Sequence, residues 1–249
     1  MRRLSSVSAF FPCYNDGGTI ASMVETVQQA LEAVADDYEI IVVNDGSSDY
    51  SARVLEGLAR RYERLRVVTH PTNLGYGAAL RSGFANATKE FIFYTDGDAQ
   101  YNPLDLSRLV EALSDGVDMV NGYKANRGDP IQRKLLGNLY CRGVRTLFRL
   151  RIRDVNCDFR LMRASLFDKM RLEFNSGAIC VELVRKVQDL GGKIAEVPVP
   201  HYPRPYGRSQ FWRLGRILRL FGELARLWWY LRGQDARARR TGESLREGP

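Results

Sequence analysis

Phe91-Ile92-Phe93-Tyr94-Thr95-Asp96-Gly97-Asp98-Ala99-Gln100 is the stretch on which the rest of the chain turns. Its first half is a run of large apolar and aromatic residues, the composition of a strand buried on both faces of a sheet. It then stops at two carboxylates separated by one glycine, with an amide two residues on. In an open α/β sheet, ligands bind just beyond the carboxyl ends of the strands. Two oxygen donors there suit a hard divalent cation, Mg²⁺ or Mn²⁺, which in turn clamps phosphates. Gly97 removes side-chain bulk between the carboxylates and lets a ligand approach the backbone. A surface Asp-Gly turn shares this local pattern, so the neighbouring strands must decide.

Upstream, Val7 to Pro12 has the character of a buried strand and ends in Cys13-Tyr14-Asn15-Asp16-Gly17-Gly18. Ile20, Val24, Val27, Leu31 and Val34 then recur at alternating spacings of four and three, which predicts a helix. Tyr38 to Val43 is a second strand, ending in Asn44-Asp45-Gly46-Ser47-Ser48-Asp49, and Val54, Leu55, Leu58 and Tyr62 mark a second helix. Arg66 to Thr69 is a third strand, ending in His70-Pro71-Thr72-Asn73-Leu74-Gly75-Tyr76-Gly77, before a helix over 78–87. Strand–helix alternation with short connections predicts a mostly parallel sheet with right-handed crossovers. Successive strands thus end in loops rich in Asp, Asn and Gly, all opening on one edge of that sheet.

Downstream of Gln100, Pro103 sits where a first helical turn tolerates proline, and Met119 to Tyr123 is a fifth strand. Ile131 to Leu150 is a basic amphipathic helix, and Asp154 to Arg160 is a loop entering a strand. A helix over 181–190 closes at Gly191-Gly192, Lys193 to Val199 is a further strand, and a proline-rich turn over 201–209 follows. Phe211 to Leu231 is a last helix, and the tail from Gly233 is almost without apolar residues, the composition of disorder. No linker interrupts residues 1–232, so they are expected to form one α/β domain, with 233–249 as a disordered tail.

The chain has 249 residues, 45% of them apolar, and a formal net charge of +8. That charge points to anionic partners: nucleic acid, a membrane surface or phosphorylated substrates. There is no excess of base before Asp129; the arginines concentrate in 133–153 and 204–240. The four cysteines, Cys13, Cys141, Cys157 and Cys180, show no zinc spacing and no disulfide pattern, which favours a reducing compartment. No signal peptide is visible at Met1-Arg2-Arg3, and no segment carries the ~18 uninterrupted apolar residues of a spanning helix.

Six motifs then occur in order. They are Pro12-Cys13-Tyr14-Asn15-Asp16, Val43-Asn44-Asp45-Gly46-Ser47-Ser48-Asp49, Asn73-Leu74-Gly75, Asp96-Gly97-Asp98-Ala99-Gln100, Asp154 through Arg160, and Glu196-Val197-Pro198 with Arg204, Gly207 and Ser209. Each alone is weak, but the series resembles the family 2 glycosyltransferases of the GT-A fold. Within them it resembles the dolichol-phosphate mannose synthase and polyprenyl-phosphate glucosyltransferase group.

The resemblance implies a GT-A, Rossmann-like fold: a mostly parallel sheet flanked by helices, here with a C-terminal amphipathic helix. It implies an inverting transfer of mannose or glucose from a GDP- or UDP-hexose to a polyprenyl phosphate, with Mg²⁺ or Mn²⁺ as cofactor. Pro12, Tyr14 and Asp16 would border the base and ribose, and Asp45 would hydrogen-bond the base. Asn73 and Gly75 would also belong to the substrate site. Asp96 would face the ribose and metal, Asp98 would ligate the metal, and Gln100 would complete that site. Arg204 and Ser209 would lie on a loop that closes over the phosphates. The chain departs from the family pattern at Asp16, where Glu is usual, and at Asn44, where Asp is frequent.

The chemistry agrees with those roles. A metal stabilises the charge developing on a departing diphosphate. A polyprenyl phosphate is already ionised near neutral pH and needs positioning by arginine rather than a general base. Lys124, Arg127, Arg133 and Lys134 are the basic candidates for the acceptor phosphate. A hydroxyl acceptor would instead require a carboxylate base, with Glu182 the first candidate and Asp158 the second. Arginines and tryptophans along 211–231 suit a membrane interface, and docking on the chain's own core or on a second copy is the alternative. The expected enzyme is peripheral on the cytoplasmic face of a membrane, with spans, where needed, from a separate partner.

Two rivals come from other classes. Gly75-Tyr76-Gly77 is half of a dinucleotide-binding fingerprint, but Leu80 stands where the third glycine belongs. A nucleic-acid-binding protein would use the positive charge, yet no such motif is present and the acidic loops would repel phosphate.

Overall fold

The computed structural model describes residues 2–125, 131–206 and 214–241. The elements run β1 (Leu4–Cys13), α1 (Ile20–Val34), β2 (Ala35–Asn44), α2 (Ser51–Arg61), β3 (Leu65–Thr69), α3 (Tyr76–Asn86) and β4 (Phe91–Thr95). There follow α4 (Leu106–Ala112), β5 (Met119–Ala125), α5 (Ile131–Phe148), β6 (Phe159–Arg163), α6 (Leu166–Lys169), α7 (Ala178–Asp189), β7 (Ile194–Pro200) and α8 (Leu214–Thr241). They build one seven-stranded sheet in the order β3-β2-β1-β4-β6-β5-β7.

Period-two alternation explains why β4 sits in the middle. Phe91 and Phe93 point into one core, with α1, α2 and α4, while Ile92 and Tyr94 point into the other, with α3, α5, α7 and α8. Full burial of one such side chain contributes roughly 1.5–3 kcal/mol. The aliphatic stripe expected from Ile20 to Val34 is the buried face of α1. Pro103 opens a 3₁₀ turn leading into α4, where Asn102 accepts a hydrogen bond from Leu104 N–H at 3.1 Å.

Three features differ from expectation. β6 runs against its neighbours: it is antiparallel to both β4 and β5, whereas β1–β2, β1–β4, β2–β3 and β5–β7 are parallel. A short helix, α6, follows it. The last helix, expected to stop at Leu231, continues to Thr241. Ala236, Arg237, Ala238, Arg239 and Arg240 are strong helix formers, and Gly233 alone costs only about 1 kcal/mol. The remainder of the expected tail, 242–249, lies outside the described residues.

Candidate active site

Register places the loops. Cys13 pairs with Asn44, and Asn44 with Thr69, so β1, β2 and β3 end side by side. Phe10 pairs with Tyr94, which brings the end of β4 to the same rim. Because β6 is antiparallel, its first residue, Phe159, faces the last of β4, Thr95. The residue before β6, Asp158, therefore arrives beside the residue after β4, Asp96. The loop after β7, carrying Arg204, leaves at the same rim because β7 is parallel to β5. A cavity of about 340 Å³ opens there. Of the expected site residues, Pro12, Tyr14, Asp16, Asp45, Asn73, Gly75, Asp96, Asp98 and Arg204 all line it.

The first two loops are stitched together by Asn15, whose φ of 59° is in the left-handed region that Asn tolerates. Its side-chain oxygen accepts from Ser48 N–H at 2.8 Å and Asp49 N–H at 3.2 Å. Asp45 is buried, and its two oxygens accept from Asn73 Nδ2 at 2.8 Å, Leu74 N–H at 2.9 Å and Gly75 N–H at 3.0 Å. His70 Nδ1 lies 2.7 Å from the same carboxylate and its Nε2 lies 2.8 Å from Ser82 Oγ. Asp45 thus shapes the 73–75 turn from inside. Gly97 is required for packing: a Cβ there would stand 2.2 Å from the Pro12 carbonyl oxygen. The neighbour it admits is β1, not a ligand.

Asp96 and Asp98 carry the strongest electrostatics of the rim. Tyr76 Oη donates to Asp96 Oδ1 at 2.8 Å. Gln100 N–H donates to Asp98 Oδ1 at 3.0 Å, and the Arg204 guanidinium donates to Asp98 Oδ2. A second guanidinium nitrogen of Arg204 lies 3.7 Å from Asp16 Oδ1. Burial, with the charges of Asp158 and Asp98, pushes the Asp96 carboxyl well above the usual range. Burial also raises Asp98, against the pull of Arg204. Burial raises Asp16 to about 6, opposed by the Tyr14 amide and Arg204.

The cluster is therefore short of positive charge, and Arg204 supplies part of it. Among the described residues no group of three or more His, Cys, Asp or Glu gathers as a metal cage. A carboxylate pair still fits Mg²⁺ or Mn²⁺, which are held by one or two carboxylates plus substrate phosphates and water.

Other expected residues fall elsewhere. Glu182 does not reach the cavity. Its buried carboxylate accepts from Glu173 N–H at 3.0 Å and Phe174 N–H at 3.2 Å and pairs with Lys186 Nζ at 2.7 Å. It is fully engaged in holding the 173–174 turn, so it is not placed to act as a base. Gln100 also stands outside the lining. Its side-chain amide donates to Tyr202 O at 3.0 Å and its carbonyl accepts from Tyr202 N–H at 2.8 Å, so it ties the 96–100 and 201–206 loops together rather than offering a cation ligand. Lys124 is not among the lining residues; it donates to the carbonyl of Asn156 at 2.6 Å, and its charge lowers Asp96 and Asp98. Arg127 and Ser209 lie outside the described residues, and of Arg133 only the backbone is described.

Several lining residues had no expected role: Tyr76, Tyr140, Asn156, the turn Asn175-Ser176-Gly177, Cys180, Arg219 and Leu220. The Gly75-Tyr76-Gly77 pattern was visible but has another cause. A Cβ on Gly75 would lie 2.6 Å from the Asn175 oxygen, and one on Gly77 2.4 Å from the Phe174 oxygen. These glycines admit the 173–176 turn, not a pyrophosphate. Asp158, the second candidate base, is in the cavity wall, accepting from Tyr94 Oη at 3.2 Å and Cys180 Sγ at 3.1 Å.

This sheet, with its acidic rim, is the architecture of the nucleotide-sugar glycosyltransferases, and the chain belongs to glycosyl transferase family 2, whose sequence model matches residues 8–171. A relative is the undecaprenyl-phosphate 4-deoxy-4-formamido-L-arabinose transferase of Klebsiella pneumoniae (strain 342), 30% identical over 210 residues. That alignment covers 84% of this chain, and the chain spans only 63% of the relative's length. Glucosyl-3-phosphoglycerate synthase from Mycobacterium tuberculosis, in complex with Mn²⁺, UDP-glucose and phosphoglyceric acid, shares the fold with a TM-score of 0.66 at 19% identity, covering 89% of this chain and 80% of that one. The same enzyme with Mg²⁺ and UDP gives a TM-score of 0.60 at 19% identity, over 81% and 73% of the two chains.

Proposed function

We propose that this chain is a metal-dependent inverting glycosyltransferase that moves a hexose from a nucleotide diphosphate sugar to a polyprenyl phosphate on the cytoplasmic face of a membrane. The observation that carries the reading is the meeting of Asp96 and Asp98 with the Tyr14–Asp16 loop and Arg204 around one cavity. Asp96 and Asp98 would hold the cation, which supplies charge stabilisation to the diphosphate. Tyr14 and Asp16 would border the nucleoside. Asp45 would act on it through the turn it shapes. Arg204 would leave Asp98 for the phosphates once the cation is in place, completing the clamp.

An acceptor phosphate oxygen then attacks the anomeric carbon. The bond to the diphosphate breaks, and the electron pair leaves with the diphosphate. No proton need be taken from an ionised phosphate, which suits a site where Glu182 is engaged elsewhere. The Klebsiella relative, named for undecaprenyl-phosphate, supports this acceptor class. The synthase named with UDP-glucose supports a UDP-sugar as the first donor to try. No helix among the described residues is long and apolar enough to cross a membrane.

A second reading keeps the donor site and changes the acceptor to a hydroxyl. It rests on Asp158, a carboxylate already in the cavity wall beside Asp96. One panel separates the two readings: UDP- and GDP-hexoses with Mg²⁺ or Mn²⁺, offered with a short polyprenyl phosphate, with its parent alcohol, or with neither. Transfer to the phosphate alone is expected. Transfer to the alcohol would favour Asp158 as base, and turnover insensitive to chelator would overturn the metal assignment.

A further inference from the structure

We propose that Arg219 holds the anionic head of the acceptor, so that α8 is one wall of the acceptor subsite. This rests on the reading of the chain as a transferase to a polyprenyl phosphate. The cavity wall contains Asp16, Asp45, Asp96, Asp98 and Asp158 against two arginines, Arg204 and Arg219. Arg204 is committed to Asp98 and Asp16. Arg219 makes no hydrogen bond or ion pair with any described residue. A guanidinium in a cavity wall with no counter-ion among the described residues is placed to take an anion from solution, and its planar fork suits a phosphate.

The helix that carries it is fixed against the site. Leu220, Leu224, Leu227 and Leu231 are buried in the core. Glu223 Oε2 accepts from Ser176 N–H at 3.0 Å, locking α8 to the turn that forms the cavity's far wall. Arg219 is thereby held in the cavity wall beside that turn. Its neighbours Leu218 and Phe221 are 63% and 56% exposed. A cation reaching into the cavity beside exposed apolar side chains matches an acceptor with a phosphate head and a hydrocarbon tail.

The test uses the full chain, the donor identified by the panel, and farnesyl phosphate as acceptor. Arg219→Ala is expected to raise the acceptor KM about tenfold to a hundredfold, the loss of one charge-assisted contact, while the donor KM stays within about twofold. Arg219→Lys should recover part of the acceptor affinity. An unchanged acceptor KM in Arg219→Ala overturns this inference alone. Acceptor and donor KM rising together mark a structural role and also overturn it. A wild-type protein that neither binds nor glycosylates farnesyl phosphate overturns the proposed function, and this inference with it.

Discussion

Arg204 rests its guanidinium on the Asp98 carboxylate, joining the loop after β7 to the loop after β4. It also reaches within 3.7 Å of Asp16, so one cation serves carboxylates from two different strand ends. That contact is the counter-ion of an acidic site. Burial has already pushed Asp16, Asp96 and Asp98 upwards, and without Arg204 the shift would be larger. On the proposed assignment, a divalent cation entering between Asp96 and Asp98 would compete with the same guanidinium for the same oxygen, and metal binding would be coupled to the position of the 201–206 loop.

Arg204→Ala should separate the two parts of that coupling. With the competitor gone, Mn²⁺ alone should bind several-fold more tightly. Transfer should nevertheless fall by about tenfold to a hundredfold, because the phosphates lose a charged donor. Manganese titration followed by a transfer assay checks both signs; weaker Mn²⁺ binding in the variant would contradict the competition.

Asp98→Ala is expected to reduce transfer by about 100-fold or more while the fold persists. The carboxylate sits on a loop, and its burial works against its charge, so removing it takes nothing from either core. Circular dichroism melts should superpose within a few degrees on wild type. Full activity in this variant would sink the metal assignment.

Glu182 should separate structure from chemistry. Glu182→Gln keeps an acceptor oxygen for the Glu173 and Phe174 amides and should retain transfer within a few-fold. Glu182→Ala leaves both amides without their acceptor and Lys186 without its partner. It should lower stability by about 1–3 kcal/mol in urea unfolding. A collapse of activity in the Gln variant with stability intact would restore Glu182 as a base.

The acidic rim was legible because apolar periodicity located β1 to β4, and each of those strands runs into a loop that carries Asp, Asn or Gly. Strand direction was not legible for β6. Phe159-Arg160-Leu161-Met162-Arg163 carries no mark of its direction, and only the pairing of Thr95 with Phe159 puts Asp158 beside Asp96. Glu182 misled because it shares a polar stripe with Arg185, Lys186 and Asp189, while the Glu173 and Phe174 amides that occupy its carboxylate come from a turn whose approach no spacing in the sequence marks. Arg219 was one of several arginines on an amphipathic helix until docking through Leu220 and Glu223 gave it a place. Gly97 was legible as a tight spot, although the close neighbour is the Pro12 carbonyl rather than a ligand.

Asp16 gives the site a pH signature whose sign follows from its environment. Burial raises its carboxyl from 3.8 to about 6 in the folded protein, so the ionised form is the costly one. The cost is fully present above about pH 6, shrinks as the pH falls, and is gone below the unfolded value of 3.8. Asp16→Asn removes the charge and keeps an oxygen for the Tyr14 amide, which donates at 3.2 Å. The variant should therefore be more stable than wild type at pH 7.5, by something of the order of 2 kcal/mol, and indistinguishable from it near pH 3.5. Nucleotide binding should move the other way. If the ionised carboxylate contacts the nucleoside, wild-type affinity falls as the pH drops through about 6, while the Asn variant binds weakly and with a flat profile. Urea unfolding and UDP titration over pH 4 to 8 measure both trends. A stability difference that grows as the pH falls would mean that Arg204 outweighs burial at Asp16, and that the acidic rim is already neutralised before any cation arrives.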